Sequence, residues 1–291
     1  MVKNLRLLVV MFLWAICFPL ITIGIEYAPH LTFATIRAAL SGITLLIIAF
    51  YLGKKLPTTV KDWIIISIIG IGATSLAFFG MFHAAEFVSP GLATVIASTQ
   101  PLMAAFLAHV FLGERLSRRG KIGLFLGFAG ITLISVPQLV SDRIIAFEIG
   151  ISFIVVAALG ITFSNVLIKK ISDKIDPMIA MGLQMIIGSI PLAIIAMVTE
   201  NPSTLRWTPE FIFSLLGLSL AGTALAYWLW SKVLIETQLS YANAFTFLVP
   251  IFGLWMGVSF YGEQLSMITI SGIVLTLIGI YQVAKGHTSS H

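Results

Sequence analysis

The stretch PLMAAFLAHVFLGERLSRRGKIGLFLGFAG, Pro101 to Gly130, decides the fold because it returns as PIFGLWMGVSFYGEQLSMITISGIVLTLIG, Pro250 to Gly279. Pro101, Gly113, Glu114, Leu116, Ser117, Gly123 and Gly130 reappear 149 positions later as Pro250, Gly262, Glu263, Leu265, Ser266, Gly272 and Gly279. Upstream, Thr74, Leu76 and Ala77 recur as Thr223, Leu225 and Ala226. A small length change between Glu86 and Ser89 then shifts the register, so that Ser89 matches Ser240. A proline, an apolar run, a Gly-Glu turn and a glycine-bearing run, repeated in order, mark a duplication.

The 291 residues are 58% hydrophobic and 10% charged, with a mean hydropathy of +1.04. A water-soluble domain carries roughly 25% charged residues, so this chain cannot cover a water-facing surface and belongs in lipid. The net charge of +5 is no signal for nucleic acid, because the basic residues sit in short clusters between apolar runs, as bilayer orientation requires. The lone Cys17 excludes an internal disulfide and reads as a small apolar helix residue; no metal site or cofactor is expected. Leu5 to Ile25 is apolar for longer than the roughly 7–15 residues of a signal core, and is expected to be a first span.

A helix needs about 20 apolar residues to cross the hydrocarbon. Ten stretches qualify: 5–25, 31–52, 63–82, 89–112, 121–136, 149–168, 178–198, 211–230, 240–261 and 267–283. Runs such as Ile64-Ile65-Ile66 are apolar on every side, which excludes the alternating strands of a barrel. The expected fold is therefore an all-α polytopic membrane protein. Of the 17 Lys and Arg residues, Arg143 and Arg206 alone fall on one side of these spans, and Arg37 alone lies inside one; the rest share the side of both termini. The positive-inside rule places both termini in the cytoplasm of a cell inner membrane.

Five spans per half is an odd number, so the second half enters the bilayer upside down. The charges follow: Arg115, Arg118, Arg119 and Lys121 surround the first Gly-Glu turn, while the second has Gln264 and no Lys or Arg nearby. Inverted repeats of this kind build carriers that open one central site alternately to either side. The expected organisation is a first repeat over 1–137, an external linker over 138–148, an inverted repeat over 149–285 and a polar tail over 286–291.

Ten spans in two halves, each ending in a proline, an apolar run, Gly-Glu-x-Leu-Ser and a glycine-bearing run, resemble the EamA-type members of the drug/metabolite transporter superfamily. The resemblance covers nearly the whole chain, and Gln264 in place of Arg115 is its one departure within the motif. It implies a ten-helix inverted-repeat carrier whose first, third, fourth, sixth, eighth and ninth spans surround the cavity, with the fifth and tenth at the periphery. Relatives of this type export amino acids or similar metabolites, and some carry drugs or nucleotide-linked compounds. The expected function is export of an amino acid or related metabolite by alternating access. Efflux of drug-like amphiphiles is the alternative, and a non-transporting sensor or scaffold a more remote one. The expected partners are the lipid bilayer and a small-molecule substrate, with a homodimer allowed and no nucleic acid.

All twelve acidic residues fall in loops or at span ends, which disfavours proton coupling through a buried carboxylate. His30, His83 and His109 lie on separate spans without flanking acids, so no catalytic constellation is expected. Arg37 is the one charge inside a span; it is read either as a counter-charge for a carboxylate or phosphate, or as a snorkelling residue or a partner of Glu26 or Glu86. Its aligned position is near Gln184, so the charge is not duplicated. Trp14 and Tyr227 lie too deep for the interfacial belt, and with Thr74, Phe78 and Trp230 are candidates to line a cavity; lipid-facing or packing roles stay open. Thr99 and Gln100 precede Pro101, and Asn243 and Thr246 precede Pro250, adding polar candidates beside two kink or hinge candidates. Asn165 is read as bonding across helices or reaching solute.

Overall fold

The computed structural model describes residues 2–84, 96–141, 147–261 and 264–288. Glu86, Ser89, Arg143 and the second Gly-Glu turn at Gly262-Glu263 lie outside the described residues. The elements are α1 (Val2–Ile25), α2 (His30–Tyr51), α3 (Val60–Gly70), α4 (Ala77–Ala84), α5 (Gln100–Leu112), α6 (Arg118–Ser141), α7 (Phe147–Ile171), α8 (Pro177–Thr199), α9 (Pro209–Leu216), α10 (Ala226–Glu236), α11 (Leu239–Ala244), α12 (Leu248–Tyr261) and α13 (Met267–Thr288). No strand occurs among the described residues. Among the described residues nine rods are long and apolar enough to cross a membrane, and α5 is a shorter apolar helix. Large apolar side chains such as Ile47, Phe106 and Val198 point outward, as lipid permits. The chain is a multi-pass helical membrane protein.

Local chemistry sets the helix ends. Asp176 caps α8 by accepting from the Met178 amide at 2.9 Å, and the Thr59 hydroxyl accepts from Asp62 at the start of α3. Gly113 ends α5 at φ +68°, a left-handed turn that glycine adopts without strain, and so the Gly-Glu step can reverse the chain. Two rods are wound as π-helix in the middle: Ile71–Leu76 joins α3 to α4, and Gly217–Leu225 joins α9 to α10. These segments carry the duplicated threonines Thr74 and Thr223.

Two expectations about helix course are corrected. Pro101 and Pro250 do not sit inside unbroken helices. Pro101 stands in the first turn of α5, after a turn at Ser98-Thr99, and Pro250 in the first turn of α12, after a 3-10 segment at Phe245–Phe247. A first turn is where a proline costs no hydrogen bond. α6 also runs on to Ser141, past the expected end at Val136, so the first residues of the expected linker are helical.

Within lipid, helices gain no hydrophobic driving force from one another and pack through small residues and interhelical hydrogen bonds. α6 and α13 show this most plainly. A Cβ at Gly123 would stand 2.5 Å from the Gly279 carbonyl oxygen, and one at Gly130 would stand 2.6 Å from that of Gly272. Because Gly123 corresponds to Gly272 and Gly130 to Gly279, this contact is reciprocal. So are the others: α1 lies along α9, the second π segment and α10 and meets α12, while α7 lies along α3, the first π segment and α4 and meets α5. α2 packs on α8, and α5 on α11.

Candidate functional site

The mid-depth polar and aromatic side chains fall into linked groups. Arg37 on α2 is 7% exposed. Its Nε donates to Thr223 Oγ1 at 2.9 Å, a terminal nitrogen donates to Cys17 Sγ at 3.7 Å, and the guanidinium lies 5.1 Å from the Phe78 ring centroid. Thr223 stands halfway along the rod from Pro209 to Glu236, so Arg37 reaches inward and does not snorkel to the outer surface. Among the described residues it has no carboxylate partner; Glu26 is not bonded to it.

Tyr227 follows Thr223 by one turn. Its ring centroid is 5.9 Å from that of Trp14, which is 5.2 Å from that of Trp230. The buried Trp230 indole donates to Asn165 Oδ1 at 3.1 Å, which ties α10 to α7. Arg37 and Phe78 thus form one contact group with Thr223, and Trp14, Tyr227, Trp230 and Asn165 form a second, with Tyr227 one helical turn from Thr223. Thr74 stands apart, donating to Gln184 Oε1 at 2.8 Å; the Gln184 Nε2 is buried with no partner among the described residues.

A second group lies where α5 meets α11. Gln100 Nε2 donates to Asn243 Oδ1 at 3.4 Å, and the Asn243 amide donates to the Leu239 carbonyl. Thr99 and Thr246 spend their hydroxyls on carbonyls one turn back, those of Ile96 and Asn243. These two threonines satisfy helix ends near Pro101 and Pro250 rather than the first group.

Two carboxylates that the sequence reading used only as landmarks or span-end charges hold the ends of the bundle. Glu114 accepts from Lys169 Nζ at 2.6 Å, from the Leu239 amide at 2.8 Å and from Ser240 Oγ at 3.1 Å, so it caps α11 while pairing with α7. Glu200 accepts from the Leu31 and Thr32 amides and the Thr32 hydroxyl, each at 2.8 Å, at the start of α2. His83, at the end of α4, packs 4.0 Å from Phe79 and 5.6 Å from His30, ring centroid to centroid. Among the described residues no group of three His, Cys, Asp or Glu side chains could hold a metal ion.

With this geometry in place, the chain can be compared with known proteins. The model of the EamA-like transporter family matches residues 2–136 and again residues 148–284. The chain is 29% identical to the uncharacterized transporter YvbV of Bacillus subtilis, covering 95% of this chain and 88% of that one. It is 27% identical to a Salmonella typhimurium protein named "Probable amino-acid metabolite efflux pump", covering 94% and 92%. A WAT1-related chloroplastic protein of Arabidopsis thaliana is 30% identical over 86% of this chain, which spans 61% of that protein's length. One solved crystal structure superposes with a TM-score of 0.85 at 15% sequence identity, covering 99% of this chain and 98% of the other, a likeness of fold.

Proposed function

The chain belongs to the EamA-like transporter family, and from that premise we propose that it exports amino acids or related small metabolites by alternating access. The observation that carries this reading is a pair of contact groups one helical turn apart, Arg37 with Phe78 and Thr223, and Trp14 with Tyr227, Trp230 and Asn165, each joining elements of both halves. The chemistry suits a small organic guest: hydrogen-bond donors, a guanidinium and broad ring faces in an otherwise apolar bundle. The Salmonella typhimurium relative supports the amino-acid class by its name.

The reciprocal helix contacts support two five-helix repeats in opposite orientation. α5 belongs to the fourth of ten spans, and the substrate passage follows the seam between the halves. The distribution of Lys and Arg supports a cytoplasmic location for both termini in a cell inner membrane. The described acidic residues all lie at helix ends or in loops, which supports flux down a metabolite gradient without proton coupling.

Counterflow tests the proposal. Purified protein in liposomes preloaded with an unlabelled amino acid should accumulate the labelled one without an imposed proton gradient. Strict dependence on a proton gradient overturns the uncoupled mechanism. Counterflow of cationic or amphiphilic dyes alone favours drug-like efflux, and absence of any flux overturns transport.

A further inference from the structure

We infer that Arg37 is the counter-charge for a carboxylate on the transported solute, an assignment that rests on the transport reading above and names the solute's chemical class. Three observations carry it. The first is an uncompensated charge. None of the ion pairs Arg6–Glu236, His30–Glu200, Lys54–Asp176 and Lys169–Glu114 includes Arg37. Glu200, at the outer end of the same helix pair, is committed to the Leu31 and Thr32 amides. A guanidinium cannot shed its proton to escape burial, so an intramembrane arginine without an anionic partner among the described residues is open to an anion from outside the chain.

The second observation is its neutral twin. In the duplication Thr223 corresponds to Thr74, and Arg37 aligns near Gln184. The structure ties both pairs at the same place with the hydrogen bond reversed: Arg37 Nε donates to Thr223 Oγ1 across α2 and the second π segment, and Thr74 Oγ1 donates to Gln184 Oε1 across the first π segment and α8. A neutral amide therefore suffices to tie this helix pair at its threonine. The positive charge in the first half is additional to that packing role. It also sits beside a π segment, a winding that is enriched at functional sites.

The third observation is the setting of the guanidinium. Two of its nitrogens are committed to Thr223 and Cys17, neither of them an anion, which leaves N–H donors of the planar fork for a carboxylate. Phe78 lies on one side of it, and Tyr227 leads on to Trp14. A solute whose carboxylate meets Arg37 can lay an apolar body against these rings.

The test compares each acid with its amide. Leucine, phenylalanine and 4-methylpentanoate, and the amides of all three, are titrated against purified wild-type protein, Arg37→Gln and Arg37→Lys, with thermal stabilisation as the readout. Arg37→Gln copies the second half's own solution, so it retains a hydrogen-bonding partner for Thr223. At least one acid is expected to bind wild type tenfold or more tighter than its amide. That preference should fall below twofold in Arg37→Gln and return in part in Arg37→Lys. No binding by any acid, equal binding of acid and amide to wild type, or an unchanged preference in Arg37→Gln overturns the assignment. Should Arg37→Gln fail to fold, the wild-type acid-to-amide ratio and Arg37→Lys decide it alone. Liposome flux separates the two readings: amides crossing as fast as acids refutes the Arg37 assignment and leaves transport standing, whereas no flux of acid or amide refutes transport itself.

Discussion

Replacing Glu114 with alanine should loosen one end of the bundle by a calculable amount. The carboxylate is 9% exposed and holds Lys169, the Leu239 amide and Ser240 Oγ. Losing the cap on α11 costs about 1 kcal/mol, and losing the serine bond costs roughly 0.5–1.5 kcal/mol. Breaking a fully buried ion pair costs about 3–5 kcal/mol. Lys169, however, is 21% exposed and also donates to the Thr237 carbonyl, so it keeps a partner and some solvent. That discounts the ion-pair loss to about 1 kcal/mol. The sum is about 3 kcal/mol, a large part of a stability that is typically 5–15 kcal/mol. The assay is SDS titration in mixed micelles with helical circular dichroism as the signal. Glu114→Ala should unfold at clearly lower SDS, and Glu114→Gln, which keeps the length and loses the charge, should lie between it and wild type. In a double-mutant cycle with Lys169→Met the two changes should couple by about 1 kcal/mol. A wild-type midpoint for Glu114→Ala, or strict additivity in the cycle, refutes the reasoning.

Three further outcomes are expected. Gly130→Val should destabilise the contact between α6 and α13 by about 1–3 kcal/mol, because even a Cβ there stands 2.6 Å from the Gly272 carbonyl oxygen; an unchanged melting temperature in detergent contradicts the close packing. Glu200→Ala should speed hydrogen exchange at the Leu31 and Thr32 amides about tenfold, equivalent to about 1.4 kcal/mol of lost local protection; unchanged exchange there rules out the cap. Trp14→Ala and Tyr227→Ala should each impair flux while the protein stays in the membrane, and unaltered transport by both removes them from the passage.

How much could be read from residues alone follows from range. Lipid imposes its demands locally, so the long apolar runs and the recurring Pro, Gly-Glu and Gly landmarks announced a helical membrane protein and its family before any coordinates. The glycines at 123 and 130 were legible as landmarks of the repeat for the same reason. Contacts made at a distance in sequence were not legible. Glu114 looks like part of a turn, and its partners Lys169 and Leu239 are 55 and 125 residues away. The bond between Asn165 and Trp230 spans 65 residues, and neither neighbourhood announces the other. Cys17 was read as a small apolar residue; it is buried, yet it also receives a donor from Arg37. The prolines were misplaced because Pro-containing apolar runs look continuous, and nothing local distinguishes a kink from a fresh first turn. The π winding leaves no periodic trace in six or nine residues.

The duplication keeps the paired glycines of the α6–α13 contact and the threonines of the two π segments, and differs at several side chains around Arg37 and Tyr227. Gly123, Gly130, Gly272 and Gly279 are matched because each one's Cβ position is occupied by the opposite helix, and Thr74 and Thr223 are matched because both π segments need a partner. Among the mismatches are Arg37 against Gln184, Phe78-Phe79 against Tyr227-Trp228, and Met81 against Trp230. Under the proposed mechanism this division has a physical reason. A carrier that exchanges the conformations of its two halves needs frames of similar energy, so that neither opening dominates by more than a few kcal/mol. A bound solute has no such symmetry, since its carboxylate and its apolar part are different ends. Selection can therefore hold the frame equal while charging one threonine's partner and leaving its twin neutral.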